Sequence, residues 1–292
     1  IYVALEPCDM TLSQALKRGL DGAARVFAPG GPSFNQRVDW CDGMVAGLLS
    51  LHTIGIAHRD FKPSNVLLKL ESGNWKVKIT DFGCSRDVPA DMRDATLQST
   101  LHGYTKTWCA QEVLARRLPG ASLHKSRDKF TMQSWYRADI FALGCTLYHC
   151  LARQQSNVAG SEVGKPLATH PFGQTVDIDS NIINSAHPRG QSDLLRSWED
   201  HACGTAEKSQ IAARLHDGWR LVLSMLSHNA AKRPTASAVS ARLASEGLKD
   251  TVNMVRVGVV FAHGKKMFSQ NKRLLQAVPV RDDANSVAVE WC

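Results

Sequence analysis

With 292 residues, 43% of them hydrophobic and 21% charged, the chain has the composition of an ordinary soluble globular protein, long enough for one large domain or two small ones. The formal charge of +8 is scattered, as on a solvated face, and does not mark a nucleic-acid partner; only Arg116 and Arg117 with Lys125, Arg127 and Lys129 could gather into a patch. There is no signal peptide, no apolar run of the about eighteen residues that span a membrane and no Cys/His cluster with zinc spacing, and the eight cysteines lack a C-x-x-C pair and read as reduced, buried thiols of a cytosolic-facing or nuclear segment.

Residues 1–5, Ile-Tyr-Val-Ala-Leu, have the branched and aromatic content of a buried strand, which Glu6-Pro7-Cys8-Asp9 ends. Opening on a strand without an initiator Met, the chain reads as a piece of a longer protein. Residues 11–20 set Leu12, Ala15 and Leu16 at helical spacing, and a Gly-, Ala- and Pro-rich loop follows to Pro32. Residues 34–52 align Val38, Val45, Leu48, Leu49 and His52 on one stripe, which predicts a long and mostly buried helix. Residues 66–70 and 77–79, joined by the turn Glu71-Ser72-Gly73-Asn74, predict a hairpin. Residues 138–152 are apolar nearly all round, so a central buried helix is expected. A polar insertion leads to His170-Pro171-Phe172-Gly173, and residues 211–226 and 235–243 predict two closing helices around Lys232-Arg233-Pro234-Thr235. After about residue 244 the pattern changes. Residues 255–262 could form a strand, and the remainder has no assignment.

The chemistry concentrates in His58-Arg59-Asp60-Phe61-Lys62-Pro63-Ser64-Asn65, followed sixteen residues after the Asn by Asp81-Phe82-Gly83. These residue types suit phosphoryl transfer. A carboxylate can orient a hydroxyl, a lysine can neutralise a moving phosphate, and an amide and a carboxylate oxygen are hard donors for magnesium. Asp60 alone would be no more than a turn aspartate, and Asp81-Phe82-Gly83 alone would be weak; their spacing with Lys62 and Asn65 carries the signal.

Together the motifs resemble the eukaryotic protein kinase superfamily over residues 1–243, from that fold's fifth strand onward. The fold this implies is mostly α: a kinase C-lobe with a hinge strand and a small catalytic β-hairpin. Residues 1–10 would end the N-lobe and form the hinge, 11–243 would be the C-lobe, and 244–292 an unassigned tail. No glycine-rich loop and no strand lysine precede Ile1, so the N-lobe is expected to be missing and turnover by the isolated segment negligible.

The resemblance implies Asp60, Lys62, Asn65 and Asp81 as catalytic residues, with Asn65 and Asp81 the magnesium ligands for ATP and Lys62 marking the Ser/Thr type. Adenine would meet hinge backbone at Glu6 to Cys8, with Leu67 beneath its ring. His58, Phe82 and Gly83 complete the motifs. Arg59 resembles an arginine that pairs with a phosphorylated activation segment, whose candidate acceptors are Thr96, Ser99, Thr100, Thr105 and Thr107. Ala110-Gln111-Glu112 stands where kinases carry Ala-Pro-Glu, and Glu112 is expected to form a buried bridge with Arg233. Asp139, with Gly144 after it, would cap the catalytic-loop backbone, a role compatible with a helix N-cap.

The hinge Val-Ala-Leu-Glu-Pro-Cys, Ala-Asp-Ile-Phe-Ala-Leu-Gly-Cys, His-Pro-Phe-Gly and Lys-Arg-Pro-Thr-Ala are together similar to the inositol-requiring kinase/endoribonuclease family of the endoplasmic-reticulum stress response. That likeness implies a kinase facing the cytosol from a membrane protein, a protein substrate phosphorylated on Ser or Thr, and a homodimer autophosphorylating in trans. The residues after Leu243 are too few for the family's ribonuclease. A pseudokinase or scaffold lobe is the alternative, against which intact Asp60, Asn65 and Asp81 argue.

Overall fold

The computed structural model describes residues 6–21, 27, 31–87, 105–115, 132–152, 170–173, 178–184, 186–188, 191–199, 204–245, 276–277 and 289–290. The expected strands at 1–5 and 255–262 and the basic patch at 116–129 lie outside them.

A short strand β1 (Met10–Thr11) runs into helix α1 (Leu12–Asp21), and α2 (Phe34–Thr53) follows. A reciprocal cap starts α2. The Ser33 hydroxyl accepts from the Gln36 N–H at 3.2 Å, and the Gln36 side chain accepts from the Ser33 N–H at 2.8 Å. Its inward face, including Val38, Met44, Val45, Leu48 and Leu51, is buried as the periodicity predicts. Gly55 follows the helix at φ 85, in the left-handed region that suits glycine, and turns the chain into β2 (Ile56–Ala57).

The hairpin forms from β3 (Val66–Glu71) and β4 (Asn74–Ile79), wider than expected by Glu71 on one side and by Asn74 to Lys76 on the other. Its central turn residues Ser72 and Gly73 both have positive φ, 49 and 81, the twist that a two-residue hairpin turn requires. β1 joins the outer edge of β3 to complete a three-stranded antiparallel sheet, β1-β3-β4. β4 packs on α2 at Gly43, where an added Cβ would lie 2.8 Å from Val77 side-chain atoms. That close approach sets the hairpin, and hence Asp81 beyond it, against the core. β5 (Arg86–Asp87) then pairs with β2.

Helices account for most of the rest: α3 (Gln111–Ala115), α4 (Met132–Leu151), α5 (Ile178–Ile183), α6 (Gln191–Glu199), α7 (Thr205–Met225) and α8 (Ala236–Ser245). A two-residue ladder, β6 (Gln276–Ala277) with β7 (Val289–Glu290), lies in the tail. α4 is central, packed by α2 and α7, with Phe141, Leu143, Cys145 and Tyr148 wholly buried. It starts at Met132, well before the predicted 138, and the buried Trp135 extends its inward face. α7 begins at Thr205, ahead of the expected 211, through an exposed polar first turn that carries no hydrophobic signal. α5 and α6 were not expected, although Leu194, Leu195 and Trp198 in α6 have helical spacing. The described cysteines are free thiols; Cys41, Cys109, Cys145 and Cys150 are buried, whereas Cys8, in the segment before β1, and Cys84, in the helical turn Phe82–Cys84, are only half-buried.

Candidate active site

Asp139 fixes the catalytic loop. Its carboxylate, 1% exposed in α4, accepts from the N–H of His58 and of Arg59, both at 2.8 Å, and from His52 Nε2 at 3.0 Å. It is therefore no N-cap, since α4 begins at Met132. Arg59 adopts φ 72, an uncommon conformation for a side-chain-bearing residue, and its guanidinium lies over the Trp135 ring at 4.1 Å. Residues 88–104, which include Thr96, Ser99 and Thr100, lie outside the described residues.

His58 donates from Nε2 to the Thr80 carbonyl at 3.0 Å and accepts at Nδ1 from the Asp60 N–H at 3.3 Å, which together require the neutral Nε2–H tautomer. Burial drives its pKa down, against the pull of Asp139, and keeps the ring neutral. The imidazole thus ties the catalytic loop to the residue preceding Asp81. Phe82 packs on the same ring, with centroids 5.5 Å apart.

The Asp60 carboxylate is held by three hydrogen bonds, which leaves it one of its about four acceptor sites. Oδ1 accepts from the Thr105 N–H at 2.8 Å; Oδ2 accepts from Lys62 Nζ at 2.5 Å and from Asn65 Nδ2 at 3.1 Å. Lys62 Nζ donates also to the Thr105 hydroxyl at 2.5 Å. Asn65 Nδ2 donates to the Asp60 carbonyl at 2.9 Å and to Asp81 Oδ2 at 3.4 Å, and Asn65 Oδ1 is the acceptor of the same amide. Asp81 itself takes φ 64, accepts from the Gly83 N–H at 3.4 Å and is exposed. A Cβ at Gly83 would stand 3.3 Å from Asp81 Oδ1.

The donor set fits magnesium. Among the described residues no group of three or more His, Cys, Asp or Glu could hold a metal by itself. One amide oxygen and one exposed carboxylate are what a hydrated magnesium uses when phosphates supply further oxygens.

Thr105 changes role. Read from the sequence it is one of several candidate phosphoacceptors, but its hydroxyl and N–H are both committed to Lys62 and Asp60. A phosphate there would set a dianion against the Asp60 carboxylate, so Thr105 is better placed to position those two side chains. The available sequence signal was its place five residues before Ala110-Gln111-Glu112. Thr107 is half-buried in the helical turn at 106–108.

Glu112 and Arg233 form a bidentate pair, Oε1 to Nη1 at 2.6 Å and Oε2 to Nη2 at 2.9 Å. Arg233 is wholly buried and also donates to the carbonyls of Ser227, Arg137 and His228, with its guanidinium over Phe141. The Glu112 side chain keeps 24% exposure, so the bridge is buried on one side only. Gln111, standing where proline is usual, donates to the Ile183 carbonyl at 3.0 Å and ties α3 to α5. Replacing proline here supplies a hydrogen bond that proline could not make.

At the other edge, Glu6 is exposed and its carboxylate binds Lys69 at 2.5 Å and Lys78 at 3.3 Å. The Lys69 hydrogen bond is the main reason its pKa is lowered. The Cys8 thiol points to the Glu6 carbonyl at 3.7 Å, and burial raises its pKa. Leu67 is half-buried opposite Thr11, in the strand directly after Asn65. The site therefore gathers Asp60, Lys62, Asn65 and Asp81, whereas the Glu6 carboxylate belongs to a surface lysine cluster.

The protein kinase domain family matches residues 1–243, most of the chain. The chain belongs to that family. Among curated relatives, this kinase is 26% identical over 246 residues to a serine/threonine-protein kinase/endoribonuclease IRE1 of Oryza sativa subsp. japonica, covering 81% of this chain and 22% of the relative. It is 28% identical over 252 residues to the sensor for unfolded proteins in the ER ire1 of Schizosaccharomyces pombe, covering 82% and 20%. With the serine/threonine-protein kinase/endoribonuclease IRE2 of Homo sapiens it shares 32% over 145 residues, 49% of this chain and 13% of that one. The kinase spans about a fifth of the length of the first two. Among the described residues no helix is long and apolar enough to cross a membrane.

Proposed function

We propose that this kinase transfers the γ-phosphate of ATP to Ser and Thr hydroxyls of proteins, including a second copy of itself, in signalling from unfolded protein in the endoplasmic reticulum, with its site facing the cytosol. The observation that carries the activity is the convergence of Lys62, Asn65 and Thr105 on the Asp60 carboxylate, with Asp81 beside Asn65. The signalling context rests on the relatives' names.

Asp60 would accept the substrate hydroxyl's proton or aim its lone pair, held in place by the Thr105 N–H. Lys62 would balance charge gathering on the transferred group. Asn65 Oδ1 and Asp81 would hold magnesium, which would supply positive charge to offset that of the phosphates. Backbone at Glu6 to Cys8 and the Leu67 side chain would receive adenine. A scaffold lobe has no need of an exposed Asp81 carboxylate beside a buried Asn65, which favours the enzyme.

The test is incubation of the full-length natural protein with magnesium and γ-labelled ATP, followed by phosphoamino-acid identification. Phosphoserine or phosphothreonine that is lost on chelation and in Asp81→Asn supports the reading. Absence of any transfer, or transfer indifferent to both treatments, contradicts it.

A further inference from the structure

The Thr105–Ala110 segment is a fixed platform next to Asp60. The Trp108 N–H donates to the Thr105 carbonyl at 3.1 Å and the Cys109 N–H to the Lys106 carbonyl at 2.9 Å. Trp108 is wedged edge-on against His170 and His149, at 5.1 and 5.8 Å between centroids. The backbone of Lys106 is therefore held, while its side chain is exposed and has neither hydrogen-bond nor ion-pair partner among the described residues.

The carboxylates nearby are already occupied. Asp60 accepts from Thr105, Lys62 and Asn65, Glu112 is bound by Arg233, and Asp81 faces the proposed metal position. Ser64, exposed between Pro63 and Asn65, is uncharged. Among the described residues, a peptide crossing this face thus meets an unpaired cation and no spare anion. Reach supports the contact: Thr105 N is 2.8 Å from Asp60 Oδ1. The next Cα is about 3.8 Å along the chain, and an extended peptide advances about 3.3 Å per residue. A side chain adjacent to the acceptor hydroxyl, or one residue removed, comes alongside Lys106.

We propose that Lys106 is a specificity-determining residue, which selects protein substrates carrying Asp or Glu next to, or one residue removed from, the phosphorylated Ser or Thr. The inference rests on the kinase activity proposed above. It assigns the enzyme an acidic substrate class and predicts discrimination against basic flanks. An exposed ion pair of this kind changes selectivity by about two- to fivefold, and the preference weakens as salt screens it.

The experiment is a position-scanned Ser/Thr peptide library with a neutral reference peptide, phosphorylated by the full-length protein and by Lys106→Gln, Lys106→Arg and Lys106→Glu. Expected is an enrichment of Asp and Glu at one flanking position, kept by Lys106→Arg, flattened by Lys106→Gln, turned toward Lys and Arg by Lys106→Glu, and reduced at high salt. Transfer to the neutral peptide without acidic enrichment, or an enrichment that Lys106→Glu leaves unmoved, overturns the inference and leaves the kinase activity standing. No transfer to any peptide, the neutral reference included, takes down both.

Discussion

The catalytic loop and the substrate-facing segment are both tied to the helical core around α4, but by opposite devices. Asp139 holds the loop through backbone N–H groups, inside the core, by an almost wholly buried carboxylate. Arg233 holds the segment through a side-chain pair whose acidic half, Glu112, is still wetted. The first is a permanent part of the fold, since releasing it strands buried amides. The second is a looser latch on its acidic side, because Glu112 can find water when it lets go, while the buried Arg233 keeps the Ser227, Arg137 and His228 carbonyls as partners. In the proposed reaction a reactive carboxylate would have to keep its position between turnovers, whereas a platform for protein substrates would tolerate, and could use, a weaker hold.

That contrast predicts unequal losses. Asp139→Ala should be the most damaging, since it orphans the His58 and Arg59 amides and also frees His52; at about 1–3 kcal/mol for each of the two stranded amides, a loss of roughly 2–6 kcal/mol in denaturant unfolding is expected, toward the upper end because the His52 contact goes as well. Glu112→Gln should cost less, about 2–3 kcal/mol, below the value for a fully buried pair. Equal losses in the two variants would erase the distinction between core and latch.

Gly43→Ala tests the packing beneath the hairpin. Alanine in a helix normally gains about 1 kcal/mol over glycine, but here its Cβ would meet Val77 at 2.8 Å, with overpacking typically costing about 1–3 kcal/mol, so a net loss of about 1 kcal/mol is expected. A stabilised variant would show that β4 shifts freely and that Asp81 is not set by this contact.

The smallest effect at neutral pH belongs to His170, on the platform side. Burial, with a lesser push from His149, lowers its pKa to about 3, and its Nδ1 accepts from the Phe172 N–H. In the unfolded chain the ring protonates near 6.5, so below that pH the unfolded state binds the additional proton. Stability is then lost on acidification at roughly 1.4 kcal/mol per pH unit, down to about pH 3. His58, also lowered by burial, adds in the same direction. His170→Asn keeps an acceptor without the titration and should flatten this part of the acid limb in pH-dependent melts; an unchanged slope would assign the acid lability elsewhere.

Much of the latch and loop was legible in sequence, because each rests on charged residues at fixed spacing around strong periodic helices. The bidentate partner of Glu112 and the loop contact of Asp139 stand where the motifs put Arg233 and Asp139. Thr105 was legible only as a hydroxyl, since its bonds to Asp60 and Lys62 come from separate parts of the chain that no local pattern relates. The same holds for Gln111, whose bond to Ile183 depends on α5, a helix too short for its periodicity to announce it.

The central claim, that chemistry runs through Asp60, is most directly tested by single-turnover phosphate transfer with the full-length natural protein and Asp60→Asn, with magnesium–ATP binding measured alongside. The account predicts a loss of at least about 100-fold in transfer, with nucleotide binding little changed. Transfer by Asp60→Asn at the native rate would contradict it.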